Sequence, residues 1–214
     1  MPIKTSEREY RRIDIANLET RSDGNDEMIV EGYATTFGNE YTLWDDGYYA
    51  VRESIDAGAF ENADMSDVIM QYDHQGRVFA RNRNKTLELS IDYHGLKIRA
   101  NLGGTELGRQ LYEEIKGGYT DRMSLGFTVA KDERTEERDE ENRKTTIHRK
   151  ITAIKKIYDV SAVSLPANDA TEISARCISD GLIADARQEL AASEERKRHI
   201  QKIRILMEVE HHDD

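Results

Sequence analysis

Three residues far apart in the chain are of the types that acyl-transfer chemistry uses. Ser124 lies in 120-TDRMSLGFTVAK-131, His74 closes the apolar run 67-DVIMQYDH-74, and Asp159 sits inside 157-IYDVSAVSLPAN-168. A hydroxyl becomes a nucleophile when an imidazole takes its proton and a third group fixes the imidazole tautomer, and geometry rather than chain order defines such a set. Each residue also has an ordinary reading. Serine is common on the polar face of a strand, a lone histidine at a strand end is often a hydrogen-bonded edge residue, and Asp159 could pair with Lys155, Lys156 or Arg122. Among Ile157, Val160 and Val163, however, an unpaired carboxylate is costly, so Asp159 asks for a partner.

Other chemistries find less support. Of the six histidines, His199, His211 and His212 fall in a polar tail, His94 in a turn, and His148 beside Arg149 and Lys150. No HxxxH or HxH with a downstream ligand occurs, and the single cysteine, Cys177, builds no thiolate cage, so neither metal nor cofactor is expected. A metal-dependent hydrolase using Asp73, His74 and a further carboxylate is the rival that chelation would reveal. Cys177 has no histidine near it in sequence and is a weak candidate nucleophile. GxGxxG, GxxxxGK[ST] and GxSxG are all absent.

Composition narrows the partners. The 214 residues hold 31 Lys and Arg against 42 Asp and Glu, a net charge of −11, which lacks the clustered basic excess that nucleic-acid binding needs. No apolar run approaches the ~18 residues of a membrane span, the first residues carry no secretory signal pattern, and a lone cysteine suits a reducing compartment. A cytoplasmic protein without nucleic-acid or membrane partners is expected. Charged residues make up 34% and mean hydropathy is −0.76, so some segments lie outside the core.

The elements that must position the three residues are mostly strands. Alternating apolar residues predict strands at 10–19, 28–37, 67–74, 86–92 and 95–102, the last two joined by a hairpin at Tyr93-His94-Gly95. Asp56 is placed to cap a short helical turn. Leu107, Leu111, Tyr112 and Ile115 recur at helical spacing between a Thr105 cap and Gly117-Gly118, predicting one central helix. The charged run 131–144 reads as a solvated loop or protruding hairpin tip, and 146–168 as a long strand with a bulge at Lys155-Lys156. After Pro166, a weak stripe through Ile183, Ala186, Leu190, Ile200, Ile203 and Leu206 predicts one long helix or two. The fold class is therefore α+β, a mainly antiparallel β-barrel-like body with a central helix and a helical C-terminal tail. The expected domains are 1–178 and a charged tail at 179–214.

An ordered set of blocks resembles the prohead maturation proteases of tailed bacteriophages, related in fold to the herpesvirus assemblins. They are 30-VEGYATTF-37, 53-ESIDAGAF-60, the strand ending in His74, 87-LELSIDYHGLKIRANL-102, 115-IKGGYTDRMSLGF-127 and 157-IYDVSAVSLPANDATEISAR-176, spanning about Ile29 to Arg176. The resemblance implies a serine endopeptidase with Ser124 as nucleophile and His74 as general base. Asp159 takes the position of the family's acidic residue, where the herpesvirus relatives use a second histidine. The family often has Asn before the histidine and Asp after it. Here Asp73 and Gln75 stand there, and Asp73 could compete for the imidazole N–H. Oxyanion donors are expected from the 117-GGYTDR-122 turn or around Ser124, with Arg122 a further candidate. The resemblance also implies the substrates and partners: the scaffolding protein and the major capsid protein, cut inside the assembling prohead in the host cytoplasm, with self-cleavage and self-association through the C-terminal helix. A catalytically inactive capsid-assembly or scaffold-binding module of the same fold is the alternative.

Overall fold

The computed structural model describes residues 8–13, 18–21, 27–163 and 169–210, without the side chains of residues 12, 13, 21, 169–178 and 203–210. Among the described residues, eleven strands and two α-helices run in the order β1 (Glu9–Ile13), β2 (Glu19–Arg21), β3 (Ile29–Thr36), β4 (Tyr41–Asp45), β5 (Tyr49–Ile55), β6 (Ile69–Tyr72), β7 (Gln75–Arg81), β8 (Leu87–Ile91), β9 (Gly95–Asn101), α1 (Glu106–Lys116), β10 (Arg122–Asp139), β11 (Lys144–Val163) and α2 (Asp169–Glu210). Alternating apolar side chains make most of these strands half-buried, and the α+β class follows.

The strands form two sheets. The larger runs β1-β10-β11-β5-β4, with β6 joined to β11 and β7 to β6; the smaller runs β2-β3-β9-β8. Most ladders are antiparallel. The exceptions lie along β11, which is long enough to take two parallel neighbours in succession, β5 at Thr145–Ile151 and β6 at Asp159–Ala162. The expected barrel-like closure does not form: among the described residues no ladder joins the two sheets, the larger ends at β1, β4 and β7, and the smaller at β2 and β8. One core instead lies between them, built from Val30 and Ala34, Leu96 and Ile98, Met123, Leu125 and Phe127, and Ile154, Ile157 and Val160, closed by Leu111, Tyr112 and Ile115 of α1.

Local signals explain most elements. Asp56 accepts from the Gly58 N–H at 2.9 Å and starts the 3-10 turn Ala57–Phe60. Thr105 accepts from the Gly108 N–H at 3.0 Å and caps α1, although Leu107 stays exposed. The β10–β11 ladder skips Lys155, as the slipped alternation predicts, and also Thr152 and Tyr158 on β11 and Ala130 on β10. Several regions differ from expectation. β4 and β5 are strands where none was expected, and the expected strand 10–19 divides into β1 and β2, which belong to different sheets. The charged run 131–144 is strand for most of its length, because cross-strand pairing of β10 and β11 continues to Asp139↔Lys144. Strand β7 was not expected; its first four residues are exposed, so it has no alternating apolar pattern, only its pairing with β6. The tail is a single helix. Its Leu182, Ile183 and Ala186 pack on Val51 and Ile147, while Ile200 is exposed and Ile203 and Leu206 lie outside the described side chains.

An ionic cluster is enclosed beside the core. Arg11 of β1 meets Glu53 of β5 at 2.5 Å and Glu9 at 2.5 Å, Arg149 of β11 meets Glu53 at 2.7 Å, Glu9 at 2.8 Å and Asp132 at 2.5 Å, and the Tyr41 hydroxyl donates to Glu53 at 2.5 Å. Arg11, Glu53 and Arg149 are buried, so the cluster ties β1, β5, β10 and β11 together only while every charge is answered. Burial would push the Glu53 carboxyl up, but Arg11 and then Arg149 outweigh it and hold it below the ordinary range. A depressed folded pKa contributes stability above the unfolded value, lost as pH falls through the folded one. The contribution of Glu53 is therefore complete at neutral pH and fades on acidification below about 4.3, the ordinary glutamate value. Urea denaturation should show Glu53→Gln losing less stability than wild type between neutral pH and that acid range. Arg149→Met, which leaves Glu9 and Glu53 with Arg11 as their remaining cation and Asp132 with Arg134 at 3.5 Å, should cost about 3–5 kcal/mol at neutral pH.

Candidate active site

The β10–β11 register sets the site. Ser124 pairs with Ser161 and Gly126 with Asp159, and residues two apart on a strand share a face. Met123, Leu125 and Phe127 take the core face, which leaves Ser124, Gly126, Asp159 and Ser161 together on the other. On the far side of β11, strand β6 runs parallel to Asp159–Ala162 and turns back into β7 through Asp73 and His74 alone. Both turn residues have positive φ, 47° and 58°, the left-handed geometry of a tight two-residue hairpin. Non-glycine residues carry roughly 1–2 kcal/mol of strain each in that conformation. The Asp73 N–H donates to the Ala162 carbonyl at 3.0 Å, tying the turn to the end of β11.

The turn brings His74 over the shared face. Its Nδ1 lies 2.5 Å from Asp159 Oδ1 and its Nε2 2.5 Å from Ser124 Oγ. A carboxylate only accepts, so Nδ1 carries the proton and Nε2 is left to face the hydroxyl. The N–H goes to Asp159 and not to Asp73. Nor does Asp159 pair with the nearby cations: Lys156 bonds to Asp64, Arg122 approaches Asp121 at 3.6 Å, and Lys155 is exposed. The partners of Asp159 besides His74 are the Ser161 hydroxyl, donating at 2.7 Å, and the Arg8 guanidinium on Oδ2.

Asp159 has no solvent exposure. Burial would raise its carboxyl; the His74 N–H, then the Ser161 hydroxyl and the Arg8 charge, outweigh it and keep the carboxyl below the ordinary range. The group is thus ionised at neutral pH and can hold the imidazole tautomer. Ser124 is 1% exposed, and its Oγ also lies within hydrogen-bond distance of the Arg11 carbonyl oxygen, at 3.0 Å. Tyr10 lays its ring against His74 with centroids 4.3 Å apart. Chemically, the arrangement can pass a hydroxyl proton to an imidazole whose other nitrogen is anchored to an anion, the preparation for nucleophilic attack on a carbonyl.

In the turn expected to supply oxyanion donors, three N–H groups are already engaged. The N–H groups of Gly117, Gly118 and Tyr119 bond to the carbonyls of Glu113, Ile115 and Glu114. They close the end of α1, whose last carbonyls need donors. The side chain of Cys177 lies outside the described residues, and no three described His, Cys, Asp or Glu side chains group as metal ligands.

A family comparison decides the class. The model of the caudovirus prohead serine proteases matches residues 16–183. The chain belongs to that family. No curated protein and no solved structure matches it. As a prohead serine protease it has a role in capsid maturation, in association with prohead components and within the assembling capsid of the host cell. No described helix is long and apolar enough to cross a membrane.

Three contributors went unread in the sequence. Ser161 and Gly126 stand inside motifs quoted for other residues, and a glycine within a strand is itself a signal that another group approaches closely. Arg8 had no signal, since its partner is 151 residues away. A Cβ added at Gly126 would lie 2.3 Å from Asp159 Oδ2 and 3.0 Å from its Cγ. Gly126→Ala should therefore push the enclosed carboxylate off His74. In proton NMR the far-downfield imidazole N–H resonance expected of a bond this short should be present in wild type and missing from the variant; its persistence would show that Asp159 has room to move.

Proposed function

We propose that Ser124 is the nucleophile, His74 the general base and Asp159 the group that orients and neutralises the imidazole in a serine endopeptidase. The observation that carries this reading is the continuous bonding from Asp159 through His74 to Ser124, with the tautomer fixed by an ionised carboxylate. Attack by Oγ on a peptide carbonyl would form the acyl-enzyme as His74 passes the proton to the leaving amine, and water would then release the acyl group.

The substrates in this proposal are the scaffolding protein and the N-terminal segment of the major capsid protein, with cleavage of the chain itself. Copies pairing through α2 belong to the same proposal. The expected division at 178/179 would make α2 from Ser179 onward the part that can serve this contact.

One observation favours the second reading, an inactive scaffold-binding module: Ser124 is almost wholly covered. Intact mass over time, with the purified protein and its scaffold or capsid partner, separates the two. Discrete fragments should appear with wild type. Ser124→Ala and His74→Ala should each lower the rate by about 10⁶-fold and Asp159→Asn by about 10⁴-fold, and the Ser124→Ala, His74→Ala double variant should be no slower than either single one, because residues acting as a unit are not additive. Unchanged chains in every sample would support the binding module.

A further inference from the structure

We infer that β1 is a built-in cover: it occupies the strip beside Ser124 where an extended substrate must lie, and holds the hydroxyl out of reaction until it is displaced. The inference rests on Ser124 being the nucleophile. It goes further by naming what regulates that residue.

Three contacts from β1 and from Arg8, the residue just before it, work against catalysis. The first is a matter of proton count. A serine hydroxyl has one hydrogen, and both His74 Nε2 at 2.5 Å and the Arg11 carbonyl at 3.0 Å claim it. If it goes to His74, the carbonyl oxygen faces Oγ with no hydrogen between them. If it goes to Arg11, Nε2 must itself carry a proton, and an imidazole protonated on both nitrogens cannot act as base. Either way the carbonyl of β1 opposes transfer of that proton to a neutral imidazole.

The second contact is Arg8, whose guanidinium bonds to Oδ2 of Asp159 while stacked on Tyr158, 4.5 Å from the ring centroid. A fixed cation there offsets the negative charge that would stabilise the imidazolium formed during attack. The third is steric. A carbonyl carbon must come within about 3–3.5 Å of Oγ, yet Ser124 is 1% exposed, with the β1 backbone paired beside it through Arg12↔Ser124.

The other face of β1 explains how the cover stays on. Glu9 and Arg11 alternate with Arg8 and Tyr10, and they enter the enclosed ionic cluster with Glu53 and Arg149. Once β1 leaves, Glu53 keeps Arg149 and the Tyr41 hydroxyl, so the body retains a partner for its buried charge. The contacts that close the site all come from residues 8–12, ahead of the region 16–183 that matches the protease family. What displaces them is an extended peptide, which pairs with a sheet edge by main-chain hydrogen bonds.

Covalent labelling of Ser124 by a small fluorophosphonate, followed by intact mass and peptide mapping, tests the cover in the full chain. Arg8→Ala and Tyr10→Ala lie on the β1 face turned to the site and leave the ionic cluster intact, and circular dichroism melts check that they fold. Each should label about ten-fold faster than wild type, the scale expected from losing one such contact, whereas Tyr10→Phe, which keeps the ring, should label at the wild-type rate. Equal or slower labelling of folded Arg8→Ala and Tyr10→Ala would overturn the inference and make β1 a support for the site. No labelling of Ser124 in any folded form would instead remove the nucleophile reading on which it rests.

Discussion

A carboxylate with no access to water must be answered by donors, and Asp159 organises the site through that demand. Its position is fixed by the β10–β11 ladder. Its charge is met by an imidazole from the β6–β7 turn, a hydroxyl two residues along its own strand and the guanidinium of Arg8, just ahead of β1. Gly126 is opposite because a side chain there would occupy the space the carboxylate needs. Remove the buried anion and the histidine loses its fixed tautomer, the tight turn loses what its strain supports, and Ser124 becomes an ordinary strand serine.

The second constraint is the enclosed cluster behind β1. Its charged members come from four strands, and each is met by at least one opposite charge from another strand. Because β1 carries cluster residues on one face and contacts to the site on the other, the charge balance of the body and the accessibility of Ser124 are mechanically linked. A short strand is enough for this, since alternation sends consecutive side chains to opposite faces.

Much of the fold was legible because it rests on local rules. The Thr105 and Asp56 caps, the β8–β9 hairpin and the Lys155 bulge each depend on residues within a few positions of one another. Strand β7 was not legible, because its exposed residues carry no alternation and only the neighbouring β6 makes it a strand. The charged arms of β10 and β11 misled for a related reason: charge excludes a segment from the core, but two solvated strands can still pair with each other. Closure of a barrel depends on how edges meet, which no window of sequence contains.

The sequence by itself determined which residue types could act, and their order in blocks resembling one protease family was enough to pick out His74, Ser124 and Asp159. Only the tertiary structure decided that they meet, because their bonds join residues 50 and 85 positions apart, and such separations are bridged by ladder register and turn geometry rather than by propensity. The same holds more strongly for Arg8, Arg11 and Ser161. Bonding capacity is written in each residue, but which partner meets it is settled only when the strands are aligned.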